Sequence, residues 1–189
     1  EALEGEDREE RKEGLNAVKQ ELFDEFEGKY TKSQMSEAVE YVAKHVVRDW
    51  ILSDKRRMDG RKLDEILEIS IELDVLPRVH GSTLFTRGGT QTLSITTLAS
   101  GRLEQIVEGM EGEDTRRYMH HYNAPSFSVG EAGRYMYIPK RREIGHGALA
   151  EKALVPVLPD QEIFPYTIRV VSEIMSQSGS SSMAAVCGS

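Results

Sequence analysis

The hydrophobic spacing of this chain changes period once, and that change constrains the fold more than any other feature. In the first fifty or so residues, apolar side chains recur every three or four positions. Leu15, Val18, Leu22, Phe23 and Phe26 form one stripe; Met35, Ala38, Val39, Val42, Val46, Trp50 and Ile51 form a second. Such stripes predict two amphipathic helices. Gly28 supplies a stop between them, Thr31 or Ser33 can cap the second, and residues 31–52 contain neither Pro nor Gly. A charged stretch, Ser53-Asp54-Lys55-Arg56-Arg57-Met58-Asp59-Gly60, then ends in a turn dipeptide. Beyond it the dominant period is two.

That second period predicts strands over residues 66–73, 82–87, 90–98, 105–108, 116–122 and 168–175, with Gly88-Gly89 as a hairpin turn. Gly112-Glu113-Asp114 reads as a polar loop. Residues 145–154 read as a helix, and another is expected to start at Met183 after the serine run. Strands followed by helices give an α+β fold, a sheet packed on helices, preceded by a small all-α domain. The expected boundaries are 1–52 for the helices and 55–189 for the sheet-containing core.

A chain of 189 residues, 39% hydrophobic, buries enough surface to need no covalent staple. The single Cys187 excludes an internal disulfide framework and a cysteine-based zinc site, and it fits a reducing compartment. No apolar run approaches the roughly 18–20 residues that span a bilayer. We therefore expect no membrane partner and a cytoplasmic location, organellar if the source is eukaryotic. The acidic start lacks the basic-then-apolar order of a signal peptide. It also lacks an initiator Met, and Val186-Cys187-Gly188-Ser189 stops within a small, apolar stretch, so a piece of a longer protein is expected.

The net charge of −8 is unevenly spread. Residues 1–50 hold 14 acids and 8 bases, whereas Arg134, Lys140, Arg141, Arg142, His146 and Lys152 lie in a segment whose only acids are Glu143 and Glu151. A local basic strip binds phosphates even on an acidic chain, because the field at a site depends on nearby charge. It also has a simpler reading, a solvated helix face.

Two constellations carry possible chemistry. In Gly179-Ser180-Ser181-Ser182, glycine permits close backbone approach, and the free N–H groups of a following helix join hydroxyl donors in an anion site. A capped helix after a turn explains the same residues. Lys140-Arg141-Arg142-Glu143-Ile144-Gly145-His146-Gly147 is the complementary half. Its guanidinium groups can grip phosphate oxygens bidentately, and His146 can hydrogen-bond a phosphate or ribose or exchange a proton near neutrality. A helix start after Pro139 is the alternative.

Other signals are weaker. His120 and His121 are neighbours on a predicted strand, so they face opposite ways and cannot share a metal. Arg116 and Arg117 beside Tyr118 fit nucleic acid or a sheet edge. Gly130-Glu131-Ala132-Gly133 matches only the bare KH-loop pattern. There is no Gly-x-Ser-x-Gly elbow and no Walker P-loop.

Read together, the motifs have an order. Met58-Asp59-Gly60-Arg61-Lys62, Leu76-Pro77-Arg78-Val79-His80-Gly81-Ser82 and Leu84-Phe85-Thr86-Arg87-Gly88 precede the basic motif. Phe164-Pro165-Tyr166-Thr167-Ile168-Arg169-Val170, Ser172-Glu173 and Gly179-Ser180-Ser181-Ser182-Met183 follow it. From about residue 55 onward this series resembles the second ribonuclease PH-like core (a ribosomal protein S5 domain 2-like fold) of the polynucleotide phosphorylase family. The preceding helices resemble the all-helical domain that joins the two cores.

The resemblance implies a 3′-to-5′ exoribonuclease that attacks the terminal phosphodiester of single-stranded RNA with inorganic phosphate, releases nucleoside diphosphates, and runs in reverse as a polymerase in mRNA turnover. It implies phosphate binding by Ser180, Ser181 and Ser182 and catalytic roles for Arg141, Arg142 and His146. It further implies a homotrimer with RNA in a central channel, possible membership of an RNA-decay complex, and Mg²⁺ or Mn²⁺ as cofactor. In the family the metal carboxylates and a lysine follow the serine loop, so they are expected beyond Ser189, and no acid present here is assigned to metal. Residues 1–189 alone are expected to be inactive. Family members commonly carry Glu at the position of Gly89. The rival readings are a non-catalytic RNA-binding scaffold of the same fold and an RNA hydrolase releasing monophosphates.

Overall fold

The computed structural model describes residues 3–4, 8–134 and 138–189, and the chain divides into two compact units, Glu1–Ile66 and Leu67–Ser189. The composition break at Ser53 and the Met58–Lys62 motif therefore lie within the first unit. No helix among the described residues is long and apolar enough to cross a membrane.

The first unit carries two helices, α1 (Arg8–Glu25) and α2 (Lys32–Asp49). Gly28 takes a φ of 78°, the left-handed conformation that ends a helix cheaply only in glycine. Thr31 is the cap of α2: its Oγ1 accepts from Gln34 N–H at 3.3 Å, while Gln34 Oε1 accepts from Thr31 N–H at 3.0 Å. That reciprocal pair satisfies two donors the helix leaves open. Met35 and Val39 of the predicted stripe are buried, and Lys19 pairs with Glu40 at 3.0 Å. The helix loosens into a π-type turn, Trp50–Asp54, which stops at Lys55 in the left-handed region. Arg56 lies 5.3 Å from the centre of the Trp50 ring and pairs with Glu4, and Arg61 pairs with Asp59 at 2.7 Å. The turn at Gly60 has a φ of 81°.

The second unit is built on a five-stranded sheet. Its strands are β1 (Ile69–Leu73), β2 (Gly81–Arg87), β3 (Thr90–Ser100), β6 (Tyr118–Asn123) and β7 (Tyr166–Ser176), and they lie side by side in the order β1-β2-β3-β7-β6. All neighbours are antiparallel except β6 and β7, which run parallel. A parallel pair needs a crossover, and α3 (Arg141–Leu154) supplies it. The helix α4 (Ser181–Gly188) follows β7 and packs on β2, β3 and α3.

Register explains the core. Phe85, Thr92, Ser94, Val170, Ser172, Ile174, His120 and Tyr122 are buried, and alternate residues of their strands are less so. One apolar cluster joins Tyr118, Ile168 and Val170 with Leu98, Leu154, Leu158 and Phe164; another joins Tyr122, Ile174 and Ala185. Across the same buried surface runs a polar chain. Tyr118 OH meets His120 Nδ1 at 2.9 Å, His120 Nε2 meets Ser172 Oγ at 3.0 Å, and Ser172 Oγ meets Ser94 Oγ at 3.1 Å. Burial pushes the His120 ring down to about 4, with His121 adding to the shift, so it is neutral at pH 7. His121 is exposed, as strand alternation requires.

Several elements differ from their sequence-based bounds. The expected loop at Gly112-Glu113-Asp114 is strand β5 (Gly112–Arg116), paired with β4 (Gln105–Gly109) in a separate two-stranded ribbon. Both strands are almost wholly exposed, and Glu108 sits opposite Glu113, so no buried face imposed an apolar alternation. Strand β1 starts at Ile69 rather than 66, and Ile69, Ile71 and Leu73 are exposed at the sheet edge.

The helix α3 starts four residues before the expected Gly145, because Glu143 caps it: Oε2 accepts from Lys140 N–H at 2.7 Å and Oε1 from Ala124 N–H at 3.3 Å. Its glycines are there for contact, not for breaking the helix. A Cβ on Gly147 would stand 2.8 Å from the His120 carbonyl oxygen, so only glycine lets α3 lie this close to β6. Likewise α4 starts at Ser181, two residues before Met183.

Candidate functional site

The site lies where parallel strands β6 and β7 end, since both run toward the serine loop and the start of α3. At the end of β7 the chain turns through Gly179, with a φ of 90°, and Ser180, with a φ of 52°. Two successive left-handed residues, one of them not glycine, are a strained arrangement, worth roughly 1–3 kcal/mol where the residue is not glycine. Contacts from three elements hold it. Arg87 Nη2 donates to Gly179 O at 2.8 Å, and Thr90 Oγ1 donates to the same oxygen at 3.0 Å while accepting from Ser178 N–H at 3.0 Å. Gln177 N–H donates to Ser128 O at 2.8 Å. The hairpin turn also touches the loop, for a Cβ on Gly89 would stand 3.2 Å from Ser178 Cβ.

Ser180 is exposed, Ser182 is half-buried, and Ser181 is buried. Ser180 occupies the N-cap position of α4 without making a side-chain cap bond, so it does not act as the ordinary capped helix start. The first backbone hydrogen bond of α4 runs from Ala184 N–H to Ser180 O. The N–H groups of Ser181, Ser182 and Met183 therefore have no helical acceptor and point out of the helix start.

Arg141 and Arg142 occupy the first turn of α3, both exposed, and neither has an ion-pair partner among the described residues. The two acids of the basic strip are committed elsewhere. Glu143 caps the helix, and Glu151 pairs with Arg116 at 3.4 Å. Two free cations at the positive end of a helix repel its dipole. Such an arrangement is relieved by an anion.

Tyr122, at the end of β6, joins the two halves. Its ring stands 4.7 Å from that of His146, tilted by 35°, and its OH is 2.6 Å from Ser181 Oγ. Burial raises the Tyr122 phenol, while Ser181 and Arg142 oppose that shift. Burial, then the Arg142 charge, lowers His146. Its Nδ1 is buried and has no hydrogen-bond partner among the described residues. Arg142, His146 and Ser181 thus share one neighbourhood around Tyr122. Arg141, Ser180 and Ser182 lie in the same two helix starts.

Sequence patterns miss Tyr122, Gln177, Arg87 and Thr90, all of which act on the serine loop through long-range contacts. Arg117, a nucleic-acid candidate by sequence, instead donates to Phe164 O at 3.1 Å and to Pro159 O. The Gly130–Gly133 segment follows a short 3₁₀ turn, Ser126–Val129, in the β6–α3 connection. Among the described residues no group of three or more His, Cys, Asp or Glu could hold a metal ion.

Comparison with known proteins converges on this architecture. Residues 65–189 match the model of the 3′ exoribonuclease family, domain 1, and residues 1–62 match that of the polyribonucleotide nucleotidyltransferase RNA binding domain. A polyribonucleotide nucleotidyltransferase of Dictyoglomus thermophilum is 53% identical over 182 residues, covering 95% of this chain and 26% of the relative. Another, from Finegoldia magna, is 51% identical over 187 residues, covering 97% and 26%. The chain spans about a quarter of the length of these curated relatives. Among solved structures, an Archaeoglobus fulgidus exosome with RNA bound to the active site superposes with a TM-score of 0.55 at 18% identity, covering 78% of this chain and 61% of that one. An archaeal exosome core gives 0.54 at 18% identity, covering 79% and 57%. At that identity the likeness speaks for the fold. With two thirds of its length in one family model, the chain belongs to the 3′ exoribonuclease family.

Proposed function

We propose that this chain carries the phosphate-binding half of a phosphorolytic 3′-to-5′ exoribonuclease site. The observation that carries the reading is the convergence of two helix starts on Tyr122, one bearing free arginines and the other free N–H groups and serines. Inorganic phosphate is already an anion, so the site's task is to hold it beside a second phosphate against mutual repulsion. The start of α4, spanning Ser180, Ser181 and Ser182, holds the attacking phosphate through its free N–H groups and available hydroxyls. Arg141 and Arg142 neutralise the scissile phosphodiester, and His146 hydrogen-bonds a phosphate or ribose oxygen. A phosphate oxygen attacks the terminal phosphorus, the bond to the 3′-oxygen of the preceding nucleotide breaks, and a nucleoside diphosphate leaves.

The released 3′-oxygen of the shortened RNA gains a proton, and the attacking hydrogenphosphate loses one on forming the diphosphate, so the step balances. Among the described residues no group of three or more His, Cys, Asp or Glu could hold Mg²⁺ or Mn²⁺, so its carboxylate ligands would come from elsewhere in the full-length protein. We place the complete enzyme as a homotrimer acting on single-stranded RNA in the cytoplasm or an organelle. The RNA binding domain matched by residues 1–62 and the names of the relatives support the RNA substrate; the trimer and the location rest on the family resemblance alone.

The test uses the full reading frame. It is incubated with single-stranded RNA and Mg²⁺, with and without inorganic phosphate, and the released nucleotides are identified. Phosphate-dependent release of nucleoside diphosphates is the expected result. Monophosphates released without phosphate would make it a hydrolase, and RNA binding with no release would make it a scaffold.

A further inference from the structure

The hydroxyl of Ser181 is buried and bonded on both sides, and the direction of those bonds can be worked out. Pro125 O can only accept, so Ser128 Oγ, 2.7 Å away, gives its single proton there. Ser128 Oγ must then accept from its other neighbour, Gln177 Nε2, at 2.9 Å. This fixes the orientation of the Gln177 amide and turns Oε1 toward Ser181. Oε1 is an acceptor, so at 3.2 Å Ser181 donates to it. With its proton spent, Ser181 Oγ can only accept from Tyr122, whose OH is 2.6 Å away. The chain of donation therefore runs one way, from Tyr122 through Ser181, Gln177 and Ser128 to Pro125 O. It links the end of β6, the first residue of α4, the last turn before the serine loop, and the β6–α3 connection.

We propose that Tyr122 is a positioning residue for the phosphate site, and that the Ser181 hydroxyl is the pin it holds rather than a donor to phosphate. The inference rests on the phosphate reading above. An anion needs donors, and Ser181 Oγ has none left; the hydroxyls available at this loop are those of Ser180 and Ser182, beside the free N–H groups of α4. Tyr122 holds the start of α4 through the hydroxyl and backs the His146 ring with its face, so one side chain sets the spacing of the two halves. Removing its OH leaves Ser181 Oγ buried with an unfilled acceptor and frees the strained Gly179–Ser180 turn to relax.

The experiment is a double-mutant cycle in the full-length protein with Tyr122→Phe and Ser181→Ala. It reads the KM for inorganic phosphate, kcat, RNA affinity and thermal stability. Each single change should raise the phosphate KM about fivefold, the loss expected for one hydrogen bond, and by more than it lowers kcat. The double variant should be no worse than either single one, because both break the same link. RNA affinity should hold.

A large loss in Ser181→Ala beside a silent Tyr122→Phe would overturn the proposal and make the Ser181 hydroxyl a direct phosphate donor. Coupling in thermal stability without any change in phosphate KM would reduce the link to architecture and overturn the positioning role. A wild-type protein that ignores phosphate would instead sink the phosphorolytic reading. The stability cycle still decides the link in that case, and additive losses there would overturn it too.

Discussion

Acidification should weaken the sheet-containing unit through one buried side chain, His120. The ring is 8% exposed, wedged between Tyr118 OH and Ser172 Oγ, and burial lowers its pKa from 6.5 to about 4. A base with a depressed pKa is neutral in the fold, so between about pH 6.5 and pH 4 the unfolded chain binds a proton that the folded chain refuses. Stability is complete above that window and is lost as the pH falls through it. At about 1.4 kcal/mol per pH unit, and allowing for the gradual onset near 6.5, the change from about pH 7 to pH 5 is about 2 kcal/mol.

The measurement is urea unfolding of the chain at those two pH values, wild type beside His120→Gln. Tyrosine near-ultraviolet dichroism follows the sheet, because Tyr118 and Tyr122 are buried there. Carboxylates and other histidines titrate in both proteins, so the quantity of interest is the difference between the two acid losses. The substituted glutamine side chain has no proton to take up, and the variant should lose about 2 kcal/mol less. Equal losses in both proteins would refute the reasoning, as would a ring pKa near 6.5 when His120 is titrated directly by NMR.

Two further changes test the packing and the electrostatics. Gly147→Ala puts a Cβ 2.8 Å from the His120 carbonyl oxygen. Despite the better helix propensity of alanine, the overpacking should cost about 1–3 kcal/mol in a urea or thermal melt; a stabilised variant would show that α3 does not need its close approach to β6. Arg142→Gln removes the cation that lowers His146, so the His146 pKa should rise in an NMR titration, though burial still holds it below that of a free imidazole. An unchanged value would place Arg142 too far from the ring to act on it.

The legible parts of the fold are those in which local chemistry and burial agree. The stripe containing Met35 and Val39 is a helix with its buried face where the spacing puts it, and Thr31 caps it through Gln34. The run on either side of Gly88-Gly89 is a hairpin, with Arg87 opposite Thr90. The ribbon of β4 and β5 is legible only in its first strand, which carries Ile106 and Val107, whereas β5 has no apolar residue to mark it. The start of α3 is obscured for the opposite reason. Glycines at 145 and 147 look like helix breakers until the strand beneath them is known, and then Gly147 is a contact.

The candidate site divides in the same way. Its charges and hydroxyls, Arg141, Arg142, His146 and Ser180 to Ser182, are visible in the chain because phosphate chemistry demands those residue types in short runs. Their joint use of one neighbourhood is not, since it depends on Tyr122, about twenty residues from one run and sixty from the other. The sequence alone determined the helical beginning, the α+β class, the runs of charges and hydroxyls and the family, all of which are local or ordered along the chain. Only the tertiary structure decided which serine is a pin, which arginines lack an ion-pair partner among the described residues and that the buried His120 is kept neutral. A proton goes to whatever acceptor folding brings within about 3 Å, and that acceptor can come from anywhere in the chain.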